Sequence, residues 1–565
     1  MSLENMLPPS NRDANLKDYE EAYRFFDWKE VEETFRWSET GKVNIAYEAI
    51  DRHANDPVQG QRCCLNFENE SRRERISYAR MRDLSNRFAN VLRKLGVKKG
   101  DRVLIFLPRC PEYYVAMAGC AKAGAIFCPL LGALTGMSLG ERLKDSDARM
   151  LVTNPELSER VPVRDFPRTP ILLIGGNRER LKPWTWSWDK EMAAAPDKSE
   201  MTWVDLEDPL YLIYTYGSGG TPKGVLHAHR DMIGHFLTAR WVLDLREEDV
   251  LWTTADPGWV TGTVYGAFAP WLCGVESYVQ GEKFGIERWC QSIEANRISV
   301  LYGAPFVFRR LIGKAEEILK RYDLSSLRHL LSVGEPLAPE VVYWSRRVFK
   351  VPIHDTWWMT ETGMIMIANY PSMPIKAGAI GKPFPGTKAA ILGPQGEELP
   401  AMTLGKLAIR TGWPAMMKWI WQDEKQYQEY FPFPSWYVSG DSAYRDEDGY
   451  FYYQGRDDDL IKVEGIVIGP TEIEEILERH PAVEDAGIIG KMDPAGGNTL
   501  KAFISLKTGV APSEELKDDL REFVKKHFSI RILPSEFDFR PQIPRSEDGR
   551  VIRRILKAWD LGLPA

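Results

Sequence analysis

The sequence has little cysteine, no excess of positive charge, and no uninterrupted apolar run long enough to cross a bilayer. The seven Cys, at 63, 64, 110, 120, 128, 273 and 290, form no CxxC pair and no Cys/His cluster at zinc spacing. That pattern excludes a disulfide-stapled scaffold and a zinc ribbon, and it fits reduced thiols in a cytoplasmic compartment. Lys and Arg number 73 against 80 Asp and Glu, a net charge of −7, which leaves no electrostatic footprint for nucleic acid. Residues 1–9 carry neither the basic nor the apolar region of a signal peptide, so a cytoplasmic location is expected. One stretch imitates a membrane span: Tyr113 to Gly140 holds a single charge, Lys122. Gly119, Gly124, Gly132, Gly136 and Pro129 divide it into a helix, a strand and a loop, and a Lys at mid-bilayer is costly. No membrane partner is expected, and no short repeat is present.

What is there is a chain of 565 residues, 44% hydrophobic and 27% charged, too long for one core. Residues 15–55 read as helical and rich in aromatics, a lid for the main body. Strand and helix then alternate. Strands are expected at 101–108, 125–131, 150–153, 171–174 and 210–214, and a helix over 111–122. Further strands are expected at 250–254, 300–302 and 329–333, with a helix over 286–295. The alternation predicts an α/β fold of parallel-rich sheets with helices on their faces. Short strands and Gly/Pro turns over 378–407 predict a small barrel-like subdomain. After a boundary near 455–459 comes a small α+β tail. The predicted domains are 1–457 and 458–565.

The stretch from Tyr214 to His227 carries the strongest chemistry. Thr215 leads into a segment where Gly217, Gly219, Gly220 and Gly224 leave almost no side chains. Ser218 and Thr221 add hydroxyls, and Lys223 adds a full charge. Such a segment turns backbone N–H groups toward an anion. Its spacing is not that of a Walker loop, and a Gly/Ser/Thr cluster alone also reads as a surface loop. Asp256 to Gly262 reads either as a tight turn or as a pocket wall that Gly258 and Gly262 open to a ligand. Val333 to Pro336 ends a strand and opens a helix. His354 to Gly363 gathers Asp355, Thr356, Thr360 and Glu361 more densely than a plain core strand. Thr360 can donate to phosphate, and Glu361 can hold Mg2+. Asp441, after a strand and Gly440, reads by itself as a solvated turn. His227 and His229 lack further metal ligands nearby and read as structural or as supports behind the site.

In their order these stretches resemble those of the AMP-forming acyl-CoA synthetases, the adenylate-forming superfamily, and most closely its acetyl-CoA synthetase subgroup. The resemblance runs from about Tyr19 to Leu563. It implies that Thr215, Gly217, Ser218, Gly219, Gly220, Thr221 and Lys223 hold phosphates. Gly334, Glu335, Pro336, Asp355, Thr356 and Trp357 would surround the nucleotide, and Asp441 with Arg456 the ribose. Thr360 would bind phosphate and Glu361 the metal. Trp259, Val260, Thr261, Val333 and Trp358 would line the acyl pocket. An indole at 358 shortens that pocket to acetate, with propionate next. Asp458 would be the hinge, and Gly465 would face CoA. The catalytic set implied is Lys223, Thr360, Glu361 and Arg550, working with ATP/AMP, Mg2+ and coenzyme A on small-molecule substrates. The sequence does not fix the oligomeric state.

Three departures from the family pattern stand out. Tyr216 and Gly219 replace hydroxyl residues in the phosphate loop. Arg550 holds the place of a C-terminal Lys, beside Glu547 and Asp548, and a planar fork is not interchangeable with a point charge. Glu464 and Val467 replace a Ser and an Arg before and after Gly465, with Lys462 as a possible substitute cation. The main expectation is an acid–thiol ligase forming acyl-AMP and then acyl-CoA. The alternatives are a nucleotide or acyl-CoA sensor and an adenylase with a non-CoA acceptor.

Overall fold

The structure is a computed structural model that describes residues 6–162, 169–175, 184–216, 222–282, 284–312, 316–456, 460–464, 466–493, 497–545 and 551–562. Runs of Val, Leu, Ile and Phe form the central strands. Arg102–Phe106 pairs in parallel with Ile126–Leu130 on one side and Met150–Thr153 on the other. Among the described residues this sheet has eight strands, from Trp419–Ile420 through Pro222–Ala228 and Pro209–Tyr216 to Thr185–Ser187. A second sheet of nine strands has Val250–Thr253, Val300–Gly303, His329–Ser332 and Ile353–Trp357 as parallel neighbours. The central strands of both sheets are buried along their length, which is why they read as continuous apolar runs.

The span-like segment resolves as expected. Pro111 starts the helix Pro111–Ala123, and Gly124 ends it at φ 71°. Pro fits the first helical position and Gly the left-handed cap, so the residues that break the run also define its ends. A Cβ on Gly119 would sit 2.6 Å from Phe88, so this glycine lets the helix close on Tyr78–Lys94. Lys122 is buried but not alone: its Nζ lies 2.6 Å from Asp51 and 2.8 Å from Asn86 Oδ1. Among the described residues no helix is long and apolar enough to cross a membrane.

The N-terminal helices Tyr19–Phe25, Trp28–Glu32 and Trp37–Thr40 do cover the main body through aromatics. Tyr19 meets Tyr370 at 5.1 Å and Phe26 meets Trp241 at 5.6 Å. The barrel-like piece is a four-stranded antiparallel sheet, Ala389–Leu392, Gly405–Arg410, Trp436–Arg445 and Phe451–Arg456. Register shifts in its long strands bend it.

The tail begins with a hairpin, Ile461–Val463 and Ile466–Ile468, followed by the helix Pro470–Glu478. A three-stranded sheet, Val483–Met492, Asn498–Leu506 and Pro534–Phe539, packs with the helix Glu514–His527 around its own apolar core. It touches the larger part at a buried ion pair, Arg142 to Glu472 at 3.1 Å, and at an exposed one, Arg310 to Glu464 at 2.9 Å.

Lys122→Met leaves the Asp51 carboxylate buried and unpaired, and is expected to destabilise the chain by about 3–5 kcal/mol. Adding Asp51→Asn should recover part of that loss. Thermal melts of the parent, single and double variants check both statements.

Candidate active site

Lys223 does not lie on a loop. The apolar residues Val225, Leu226 and Ala228 draw the chain into the strand Pro222–Ala228, which pairs antiparallel with Pro209–Tyr216 and sets Lys223 opposite Thr215. Pro222, Lys223 and Gly224, expected to end the glycine loop, are therefore strand residues. Gly224 serves this strand rather than an anion: a Cβ there would meet Leu212 at 2.8 Å and Trp421 at 3.0 Å. Gly217, Ser218, Gly219, Gly220 and Thr221 lie outside the described residues.

The lysine and the glutamate expected to serve phosphate and metal meet each other. Lys223 Nζ is 2.5 Å from Glu361 Oε1, and both side chains are buried. The ammonium also lies 4.2 Å from the centre of the Tyr430 ring, and Tyr430 Oη donates to the same Glu361 oxygen at 3.2 Å. Tyr430 directly follows the short helix Glu424–Glu429 and has no local motif that marks it. Thr360 is buried beside Glu361. Glu361 offers a single buried carboxylate. Among the described residues no group of three or more His, Cys, Asp or Glu could hold a metal ion. That donor set fits Mg2+, which takes oxygen ligands and completes its shell from phosphate and water.

The carboxyl ends of His329–Ser332 and Ile353–Trp357 form the second wall, the edge at which open α/β sheets bind ligands. Gly334 has φ 94°, which a residue with a side chain rarely adopts. The helix expected to open at Pro336 starts at Pro339, so Gly334, Glu335 and Pro336 form an irregular rim. The Glu335 carboxylate is held by Arg309 at 2.5 Å. Ser332 Oγ donates to Asp355 Oδ1 at 2.5 Å, and the Thr356 N–H donates to the same oxygen at 3.1 Å. Burial nevertheless pushes the Asp355 carboxyl up to about 7, against the pull of these donors and of Lys462 in the tail. Thr356 Oγ1 donates to Ser332 O at 2.7 Å, and Trp357 Nε1 donates to Asp441 Oδ2 at 2.8 Å. Asp441 is buried, which removes the solvated-turn reading, and its backbone is in register with Arg456.

Trp358 is fixed at both ends. Its Nε1 donates to Tyr302 Oη at 3.0 Å, and its ring stands edge-on to Tyr265 at 5.1 Å. Tyr265 Oη in turn accepts from the Ile365 N–H at 3.0 Å. Tyr265 and Tyr302 are sealed at 0% exposure, whereas Val260, Val333 and Trp358 keep 8–9%. All five belong to the same large apolar cluster. The glycines of the neighbouring turn serve packing: a Cβ on Gly258 would sit 2.6 Å from the Leu130–Leu131 peptide, and one on Gly262 would sit 2.1 Å from Asp256 O. Trp259 caps the short helix Val260–Thr263, which carries Thr261. It also lines a cavity of about 20 Å³ with Leu131, Tyr214 and the tail residues Ile466, Phe528 and Ile532. An open depression of about 890 Å³ between Asn69–Arg73 and Gly281–Arg288 shares no residue with this constellation.

Asp458, Gly465 and Arg550 lie outside the described residues, and Arg456 is placed by its backbone alone. Glu464 has φ 50° and is bound to Arg310. The structure thus brings Lys223, Thr360 and Glu361 into one buried group. It sets Asp355, Thr356, Trp357 and Asp441 into a second, and fixes Trp358 against Tyr302 and Tyr265. Arg309, Tyr302, Tyr265 and Tyr430 were missed because each acts from another element.

A lysine–glutamate centre beside a strand-end rim, on a large α/β body with a small tail, is the plan of an enzyme that activates its substrate with a nucleotide. Comparison with known families agrees. A family model described as AMP-binding enzyme matches residues 51–421, and one described as AMP-binding enzyme C-terminal domain matches residues 472–550. The chain belongs to the AMP-binding enzyme family. It is 50% identical over 560 residues to the acetyl-coenzyme A synthetase of Bacillus subtilis (strain 168), covering 99% of this chain and 98% of that protein. It is 35% identical over 554 residues to acetyl-coenzyme A synthetase 2 of Pseudomonas aeruginosa, covering 92% of this chain and 85% of that protein. Among solved structures, the Brucella canis acyl-CoA synthetase matches with a TM-score of 0.73 at 29% identity, over 96% of this chain and 99% of that one.

Asp355 supplies a pH test. Its folded-state value is raised, so the folded chain keeps a proton that the unfolded chain releases near pH 4. Stability from this group is present at low pH and is lost as pH rises toward about 7. Asp355→Asn, which keeps the acceptor for Ser332 and Thr356, should gain stability over the parent as pH rises from 4 to 7, with the difference level above that. Denaturant melts across this range check it.

Proposed function

We propose that this chain is an AMP-forming acid–thiol ligase that converts acetate, ATP and coenzyme A to acetyl-CoA, AMP and pyrophosphate, with propionate as its next substrate. The observation that carries the choice of acid is the fixed indole of Trp358. An indole free to swing would admit longer chains. One held by Tyr302 and crowded edge-on by Tyr265 sets a floor. The similarity to acetyl-coenzyme A synthetases along nearly the whole chain supports the same reading.

In the first half-reaction the acetate carboxylate attacks the α-phosphorus of ATP and pyrophosphate leaves. In the second the thiolate of CoA attacks the acyl carbon and AMP leaves. Charge neutralisation and positioning account for the catalysis. Lys223 and the glycine segment 217–221 hold the triphosphate, Thr360 donates to phosphate, and Arg550 reaches the acyl oxygen. Gly334, Glu335, Pro336 and Asp355 to Trp357 border the nucleotide, and Asp441 with Arg456 takes the ribose hydroxyls. Glu361 holds Mg2+, whose contribution is to spread the charge of the triphosphate. Trp259, Val260, Thr261 and Val333 wall the acyl end. The tail domain, 458–565, turns about Asp458 between the halves and brings Lys462, Glu464 and Gly465 toward CoA. The enzyme works in the cytoplasm.

Acetate-dependent release of pyrophosphate, with acetyl-CoA formed when CoA is added, is the expected activity. Tight AMP binding without release would instead mark a sensor, and release without acetyl-CoA an adenylase with another acceptor. Trp358→Gly should raise kcat/KM for a four-carbon acid relative to acetate by about tenfold or more. An unchanged ratio in a substrate panel would remove the indole from the pocket.

A further inference from the structure

The turn that carries Thr360 and Glu361 is held by its carbonyls, one after another. His227 Nε2 donates to Thr360 O at 2.8 Å, and the Met417 N–H donates to Glu361 O at 2.9 Å. Trp413 Nε1 donates to Thr362 O at 2.8 Å, and His235 Nε2 donates to Gly363 O at 3.0 Å. Four consecutive carbonyls thus meet four donors from two stretches of the chain, 227–235 and 413–417. Gly363 closes the turn at φ 67°, where a Cβ would sit 2.2 Å from Ala415 O and 2.9 Å from the His227 ring.

His227 is itself fixed. Its Nδ1 lies 2.5 Å from Asp231 Oδ2, which also accepts from Tyr211 Oη at 3.3 Å. The Tyr211 ring stacks on the imidazole at 4.7 Å and 17°. Both ring nitrogens face oxygen atoms, and His227 and Asp231 are fully buried. His227 stands four residues after Lys223 on the strand Pro222–Ala228. Alternate residues of a strand share a face, so Lys223 and His227 reach the same turn. One takes the Glu361 carboxylate and the other the carbonyl just before it.

We propose that His227, seated by Asp231, is a positioning residue: it ties the strand leaving the glycine segment to the Thr360–Gly363 turn, and so aims Thr360 and Glu361 at the triphosphate and its cation. His235 does the same at the far end of the turn. The proposal rests on the ligase reading above.

Two amide replacements separate positioning from bulk packing. Gln at 227 presents its N–H₂ near the place of Nε2 and keeps the bond to Thr360 O; Asn presents its polar group near the place of Nδ1 and keeps only Asp231. His227→Asn should lower kcat for acetate-dependent exchange of pyrophosphate into ATP by about 10–100-fold and raise KM for Mg·ATP, with KM for acetate little changed. His227→Gln should stay within about threefold of the parent. Calorimetric titration with Mg·ATP supplies a readout apart from turnover, with the same order of affinity: parent, then Gln, then Asn. Equal losses in the two variants, or equal rises in KM for acetate and Mg·ATP, would overturn the proposal. A parent chain without exchange activity would sink the ligase reading instead, and the titration would still decide the role of His227. Should His227→Asn fail to fold, His235→Asn against His235→Gln makes the same comparison at Gly363 O.

Discussion

A buried lysine and a buried glutamate that neutralise each other hold this site together. Removing either charge from water is expensive, and only a close partner offsets that cost. Lys223 and Glu361 meet that condition at 2.5 Å, and the Tyr430 hydroxyl and ring add a donor and a π-face to the pair. The pair keeps the free chain stable with both charges poised. Under the proposed function, a triphosphate with its divalent cation would offer each member a partner of the proper sign, an anion for the ammonium and a metal for the carboxylate. Such an exchange of partners would leave neither buried ion bare.

The rest of the architecture keeps that pair in place. The strand Pro222–Ala228 carries Lys223, and the end of Ile353–Trp357 leads into the turn that carries Glu361. These strands belong to different sheets, so the pair stands at the seam between the two layers. Trp357 and Trp358, adjacent in the chain, send their indole N–H groups to opposite tasks: one to Asp441 and one to Tyr302. Alternation along a single extended segment thus sends neighbouring indoles to different partners.

Much of this was legible in the sequence, for definite reasons. The parallel strands are fully buried, so their apolar runs stand out, and the predicted helix over Pro111–Lys122 differs from the observed one by a single residue. Trp358 and Asp441 drew attention in the sequence because their neighbours carry a recognisable pattern, and both are buried in the fold. The strand at Pro222–Ala228 was hidden because glycine and proline dominate its start, and those residues signal a loop unless the partner strand is known. The late start of the helix after Pro336 was hidden similarly: Pro suits a first turn at either 336 or 339. Tyr430, Arg309 and Tyr302 left no local trace, since each acts on a residue dozens of positions away. His227 was readable as a support, yet only the fold shows which carbonyl it supports.

A crystal structure of the chain with Mg2+ and a non-hydrolysable ATP analogue tests the central claim most directly. The account predicts that Lys223 Nζ has left Glu361 for a phosphate oxygen while the glutamate carboxylate has turned to the metal. A bound nucleotide beside an unbroken Lys223–Glu361 pair would contradict it.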